Sequence, residues 1–173
     1  TEHLLMEPCL RNGFAAQDVE IDLLKLSVVN RYAPAAQPAI GFVNGFGLKR
    51  GALASSIAHD SHNIVAVGVS DKALARAVNL VVGCRGALAL CSEHEELVLP
   101  LPIAGLMSNQ PSAETATLYG ELTKAAHRLG CALRSPFMTL SFMALPVIPK
   151  IKLTDRGLFD SANFRFLPLF EKS

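Results

Sequence analysis

The chain has 173 residues and a mass of 18.5 kDa; half of its residues are hydrophobic and 18% are charged. This length predicts one domain, and the apolar content can offset the entropy lost on folding, which excludes an intrinsically disordered protein. The 16 basic and 15 acidic residues give a net charge of +1, so the chain lacks the basic surface that nucleic acid binding requires. No apolar run reaches the roughly 18 residues of a membrane-spanning helix.

The chain does not begin with Met, and no basic segment followed by an apolar stretch marks a signal peptide. The missing initiator Met predicts that the chain begins within a longer protein. Its charge-poor composition predicts that another domain or subunit covers part of its surface. The four cysteines follow no C-x-x-C or metal-ligand spacing, which indicates reduced thiols and a cytoplasmic location.

Breakers and apolar periodicity divide the chain into a leading segment and one domain. Residues 1–20 contain Pro8, Asn12 and Gly13 and are interpreted as a linker, and the domain is predicted over residues 21–173. Within residues 21–32, the segment LKLSVV alternates between apolar and polar positions, which is typical of a strand. Strands are predicted over residues 24–29, 39–45, 52–58, 63–70, 87–91, 97–101 and 164–170.

Two main helices are predicted from apolar positions on one face and from capping residues. The first covers residues 72–82 after Asp71 as N-cap, and the second covers residues 113–129 after Ser112 as N-cap. Because about eight strands and two helices do not alternate strictly, we expect an α+β fold. Its sheets are predicted to be mixed or antiparallel, with short strands and the helices packed on them.

Three further segments leave alternatives open. The glycine-rich residues 41–51 favour a turn that needs positive φ, but their backbone, with Lys49 and Arg50, could also contact an anion. The apolar residues 136–149 favour core packing over a ligand-facing wall. Residues 153–160 are interpreted as a polar turn in which Asp155 and Arg156 form a local ion pair.

The densest polar cluster runs from residue 55 to residue 63 and carries two imidazoles, one carboxylate, three hydroxyls and an amide. Such a set could transfer protons through a histidine oriented by a carboxylate, or bind a metal ion. The alternative is a polar hairpin loop in which Asp60 and Asn63 cap backbone groups. On an extended chain His59 and His62 would point to opposite faces, and H-x-x-H alone is a weak metal signal. No metal site is therefore assigned.

Several longer strings resemble the C-terminal domain of bacterial adenine deaminases and occur in the same order. They are GFGLKRGA with ASSIAHDSHNI at 45–64, LPLPIAGLMS at 99–108, PFMTLSF at 136–142, LPVIP at 145–149 and LTDRGL at 153–158. The resemblance extends from about Asp22 to Phe170. The chain departs from the family pattern at Asn30-Arg31-Tyr32, where many members have Arg-His.

The resemblance implies a larger enzyme in which an amidohydrolase (β/α)₈ barrel precedes this domain. The barrel would carry a divalent metal, manganese or iron, whose hydroxide attacks C6 of adenine to give hypoxanthine and ammonia. This chain lacks the H-x-H metal motif, so it is expected to bind no metal and to be inactive alone. The expected partners are adenine, the barrel and further copies of the chain, but neither nucleic acid nor a membrane.

Our hypothesis is that the loop from His59 to Asn63 reaches the mouth of the barrel site. His59 or His62 would hydrogen-bond the purine or pass a proton to the leaving ammonia, and Asp60 would orient one of them. The alternative is a non-catalytic domain that covers the barrel or builds an oligomer. A third possibility, a stand-alone purine-binding domain, requires that the chain alone binds adenine. The candidate substrate-binding residues are Ser55, Ser56, Ser61 and Asn63.

Overall fold

The computed structural model describes residues 1–170; residues 171–173, the end of the predicted domain, lie outside that description. The described part holds eleven strands and three helices, and its sheets are antiparallel, so the predicted α+β fold is confirmed. The strands are β1 Leu10–Arg11, β2 Phe14–Ala15, β3 Leu24–Val29, β4 Ala39–Val43, β5 Ala52–Ser55, β6 Ile64–Gly68, β7 Ala87–Cys91, β8 Glu96–Pro100, β9 Ile151–Thr154, β10 Gly157–Asp160 and β11 Arg165–Leu167. The helices are α1 Asp71–Gly83, α2 Ser112–Arg128 and α3 Pro136–Phe142.

A six-stranded sheet in the order β4-β3-β6-β5-β7-β8 forms the centre of the domain. Its middle strands alternate between large and small apolar residues, and successive side chains of a strand point to opposite faces. The large residues, such as Leu53 and Val65, face a core that includes α2 and α3. The small ones, such as Ala54 and Ala66, face α1. Both faces of the middle strands are therefore buried.

The residues before the helices differ from the predicted caps. Ser70, not Asp71, is the N-cap of α1, and its Oγ accepts a hydrogen bond from the Ala73 amide at 3.1 Å. Asp71 is the first helical residue, and its carboxylate accepts from the Lys25 ammonium at 2.6 Å. Helix α2 begins at Ser112 itself, after Pro111. Ser70 and Asp71 are both good capping residues, so the sequence pattern alone does not decide between them.

Residues 153–160, interpreted as a polar turn, form most of a β-hairpin in which β9 pairs with β10. Leu153 and Leu158 pack near Gly41 of β4, which places this hairpin against the central sheet. Strand β11 pairs with the other side of β10, within the segment predicted as a closing strand. The predicted ion pair is not formed, because Asp155 accepts from the Asn30 side chain at 2.7 Å and Arg156 lies over the Phe166 ring.

The leading segment contains a short hairpin of β1 and β2. Its interpretation as a linker stays a prediction. No helix within residues 1–170 is long and apolar enough to cross a membrane. The four cysteines are free thiols, and burial raises the pKa of Cys91 and Cys131, which keeps both as unreactive neutral thiols.

An internal carboxylate occupies the glycine-rich turn. The Asp22 side chain accepts hydrogen bonds from the Gly45 and Gly47 amides, each at 2.8 Å, and both glycines have positive φ. Lys49 donates to the Val19 carbonyl at 2.9 Å. The amides and Lys49 are thus engaged within the chain, which supports the turn and not the anion site.

Gly68 at the end of β6 provides a test of the close packing between α1 and the sheet. A Cβ atom there would lie 2.7 Å from the Ala52 Cβ and 3.1 Å from the Leu74 Cγ. We expect Gly68→Ala to lower the free energy of unfolding by about 1–3 kcal/mol because the site is already filled. Gly120 of α2 has no atom within 4 Å of the same position. The matched control Gly120→Ala should raise that free energy by about 0.5–1 kcal/mol; denaturant unfolding that gives both variants the same sign would contradict the packing argument.

Replacing Asp22 tests the internal carboxylate. We expect Asp22→Ala to lower the free energy of unfolding by about 1–3 kcal/mol, because two amides lose a charged acceptor. Asp22→Asn should cost less, since asparagine keeps one oxygen and tolerates the positive φ of this residue. Thermal unfolding of both variants measures the effect beside Glu20→Ala, which changes a neighbouring exposed carboxylate. Equal stability of Asp22→Ala and Glu20→Ala would refute the assignment.

Candidate functional site

The polar segment 55–63 lies at one edge of the central sheet, where β5 ends and β6 begins. The strand register aligns the last residue of β3 with the first residue of β6. It also aligns the last residues of β5 and β8 with the beginning of β7. The loops that follow β3, β5 and β8 therefore meet at this edge, which we call the polar edge.

Three of the candidate residues are buried and bound to nearby backbone. The Ser55 Oγ accepts from the Ile57 amide at 2.9 Å. The Ser56 Oγ accepts from the Ala87 amide at 2.9 Å and donates to the Gly105 carbonyl at 2.6 Å. Asn63 is also buried, and its Oδ1 accepts from the Arg31 amide at 3.4 Å. These contacts assemble the polar edge; substrate binding by the three side chains stays a prediction.

The structure brings His59 and His62 together, contrary to the expectation for an extended chain. Their ring centroids are 5.9 Å apart, with one ring edge-on to the other. The segment is a turn: the His62 amide donates to the Ala58 carbonyl at 2.6 Å, and His62 has a φ of 51°. Between the two imidazoles, Asp60 and Ser61 are exposed to solvent. The turn thus presents two imidazoles and a carboxylate at the surface of the sheet edge.

Helix α3 supplies an apolar wall beside this turn. The His59 ring lies 5.3 Å from the ring of Phe142, centroid to centroid. Phe142 and Met138 are one helical turn apart, and Met138 is exposed. Phe137 and Leu140 of the same helix are buried in the core. Core packing is therefore observed for one face of α3, and a ligand-facing wall on its other face stays a prediction.

Arg31, in the loop after β3, is also part of the polar edge, although the sequence analysis assigned no function to it. Its Nη2 donates to the Ala104 carbonyl at 2.8 Å and to the Tyr32 hydroxyl at 3.1 Å. A Cβ atom on Gly105 would overlap the Arg31 Nη1, so the guanidinium packs directly against that glycine. The only sequence signal at this place was the departure from the family pattern, which involves the neighbouring Tyr32.

Burial and the neighbouring charges lower the pKa of His62 and so favour its neutral form. Burial lowers its pKa, and the neighbouring His59 and Arg31 lower it further, whereas Asp60 acts in the opposite direction. Within the described part of the chain, the His62 Nδ1 and the Arg31 Nε are buried without hydrogen-bond partners. Each such nitrogen costs about 1–3 kcal/mol of stability. Unsatisfied groups of this kind are expected where function outweighs stability.

The polar edge does not form a metal centre. Among residues 1–170, no three His, Cys, Asp or Glu side chains are close enough to hold a metal ion. A protein zinc or manganese site takes at least three such ligands. The manganese or iron implied by the family resemblance therefore finds no fitting group of ligands within residues 1–170. A separate groove of about 1100 Å³ runs beside the leading segment, and residues 55–63 are not part of its lining.

Comparison with known proteins supplies the family. The family described as the adenine deaminase C-terminal domain matches residues 1–165. The adenine deaminase of Salinibacter ruber is 56% identical over 160 residues, which are 92% of this chain and 29% of that protein. The adenine deaminase of Methanosarcina acetivorans is 50% identical over 164 residues, 94% of this chain and 29% of that protein.

A third relative is aligned over the whole chain: the adenine deaminase of Syntrophobacter fumaroxidans is 47% identical over 174 residues, 100% of this chain and 30% of that protein. The chain therefore spans about three-tenths of the length of these relatives. Because the family match extends over nearly all of its residues, the chain belongs to the adenine deaminase C-terminal domain family.

Proposed function

We propose that this chain is the C-terminal part of an enzyme that hydrolyses adenine to hypoxanthine and ammonia, and that its polar edge completes the active site. The observation that carries the proposal is the half-buried imidazole pair of His59 and His62 on one turn, with the exposed Asp60 carboxylate between them. The names and lengths of the relatives support the context, since an adenine deaminase has a much longer chain than this one.

Deamination requires a water molecule to add at C6 and a proton to reach the leaving amino group. A neutral imidazole can accept a hydrogen bond from the purine or take up a proton and release it to the departing ammonia. His62 suits this task because its lowered pKa favours the neutral imidazole. His59 lies beside it, and Asp60 would orient one of the two rings. The manganese or iron ion that supplies the hydroxide would be held by an upstream barrel, since residues 1–170 contain no group of three side chains that could bind a metal ion.

The second candidate function is that of a docking domain that covers the barrel or builds an oligomer. Exposed apolar side chains support it. They lie near the polar edge (Ile103, Met107 and Met138) and in the leading segment (Leu4, Leu5 and Phe14). Burial of such residues against another domain or a second copy would remove apolar surface from water. The two functions are compatible; the direction in which the polar edge faces decides between them. A cytoplasmic location remains part of the proposal.

Removing the imidazoles from the full-length enzyme tests the catalytic role. We expect His59→Ala, His62→Ala and His62→Asn each to lower kcat/KM for adenine by about 10²-fold or more, because proton transfer is lost. His62→Asn is the most informative variant, since asparagine tolerates the positive φ of this residue and keeps the turn. Ammonia release measured across pH gives kcat/KM.

The matched control is His94→Ala, which removes an exposed histidine from the turn between β7 and β8. It should leave kcat/KM within a few-fold of the parent enzyme. If all three variants at residues 59 and 62 also stay within a few-fold, the polar edge has no catalytic role. A thermal unfolding midpoint close to that of the parent enzyme would show that each variant is still folded.

The chain by itself should release no ammonia from adenine when manganese is added, because the described residues provide no metal centre. Mixing it with a separately produced amidohydrolase barrel should restore activity if the domain completes the site. Activity of the chain alone would contradict the proposal that an upstream barrel holds the metal ion and that this domain completes its active site. Binding of adenine by the chain alone, measured by calorimetry, would instead favour the stand-alone purine-binding domain.

A further inference from the structure

We propose that Arg31 is a positioning residue of the polar edge, which fixes the His59–His62 turn relative to the loop after β8 and sets the charge around His62. This inference rests on the proposed function, because it assigns Arg31 to the same site. Arg31 is half-buried, and its Nε is buried. We therefore assign the guanidinium to holding the neighbouring loops in place, and not to contact with the substrate.

Arg31 connects loops that are far apart in the sequence. Its amide donates to the Asn63 side chain at the end of the histidine turn. Its guanidinium donates at 2.8 Å to the carbonyl of Ala104, in the loop after β8. The Tyr32 hydroxyl accepts at 3.1 Å, and the Tyr32 ring lies 5.0 Å from the Arg31 Cζ. Arg31 thus links the loops after β3, β5 and β8: its backbone amide contacts the loop after β5, and its guanidinium contacts the loop after β8.

Two glycines create the space for this side chain. A Cβ atom on Gly86 would overlap Gly105, and a Cβ atom on Gly105 would overlap the Arg31 guanidinium. The Ser56 hydroxyl fixes Gly105 from the other direction by donating to its carbonyl at 2.6 Å. Ser56 therefore acts on the edge through Gly105 and Arg31. The arrangement leaves room for the guanidinium and explains why the loop after β8 has a glycine there.

The charge of Arg31 reaches His62. The groups that act on His62 are His59 and Arg31, which disfavour its protonated form, and Asp60, which favours it. Removal of the Arg31 charge should therefore raise the pKa of His62. If His62 works in its neutral form, the acid side of the kcat/KM profile then moves to higher pH, and activity is lost chiefly below neutral pH.

The test uses the full-length enzyme with Arg31→Met, Arg31→Lys and the control Arg11→Met, which changes an exposed arginine of β1. Two quantities are measured across pH: kcat/KM for adenine, and the rate at which diethyl pyrocarbonate modifies His62, followed by mass spectrometry. The reagent reacts with neutral imidazole, so its rate reports the protonation of His62 without reference to activity. Arg31→Gln replaces Arg31→Met if the latter does not fold, since the amide can still donate to the Ala104 carbonyl.

We expect Arg31→Met to move both midpoints to higher pH, Arg31→Lys to leave them near those of the parent, and Arg11→Met to change nothing. Both substitutions at residue 31 should lower kcat/KM by about 10-fold or more at pH 8, because neither methionine nor lysine can reproduce the guanidinium contacts with the Ala104 carbonyl and the Tyr32 hydroxyl. An unchanged modification midpoint in Arg31→Met or Arg31→Gln overturns the inference. Parent-like activity of all three variants at residues 59 and 62, by contrast, overturns the catalytic role of the polar edge, and the modification result is then judged separately.

Discussion

The burial of both faces of the central sheet is the constraint on which the rest of the molecule depends. Alanines on β5, β6 and β7 bring α1 close on one face, and larger aliphatic residues on the same strands form the main core on the other. An unpaired polar group on either face would be costly. On β5, β6 and β7 the polar side chains therefore lie at a strand end, and that end is part of the polar edge.

Local patterns were sufficient to predict most of the secondary structure. Short apolar runs between glycines and prolines marked the strands of the central sheet, and helical periodicity marked α1 and α2. The β9–β10 hairpin was missed because its charged turn, Asp155 and Arg156, outweighed the short apolar segments on either side. Its strands are stabilised by contact with β4, which no local pattern reports.

The sequence singled out residues 55–63 as the candidate site, but it did not predict their geometry. These residues lie at the polar edge, and their functional role stays a prediction. The proximity of His59 and His62, however, depends on a left-handed backbone at a non-glycine residue, which an extended-chain argument does not anticipate. Arg31 was missed for a different reason: its carbonyl partner, Ala104, lies 73 residues along the chain.

The stacking of Gly86, Gly105 and Arg31 also has a consequence for how this domain can diverge. A methyl group on Gly105 meets a guanidinium on one side and a backbone on the other, so this position is closed to change while the arginine is present. Loss of the arginine first would open the space and make a later change of the glycine tolerable. The arginine is therefore expected to change before the glycine. Among related sequences, Gly105 without Arg31 should be more common than Arg31 without Gly105.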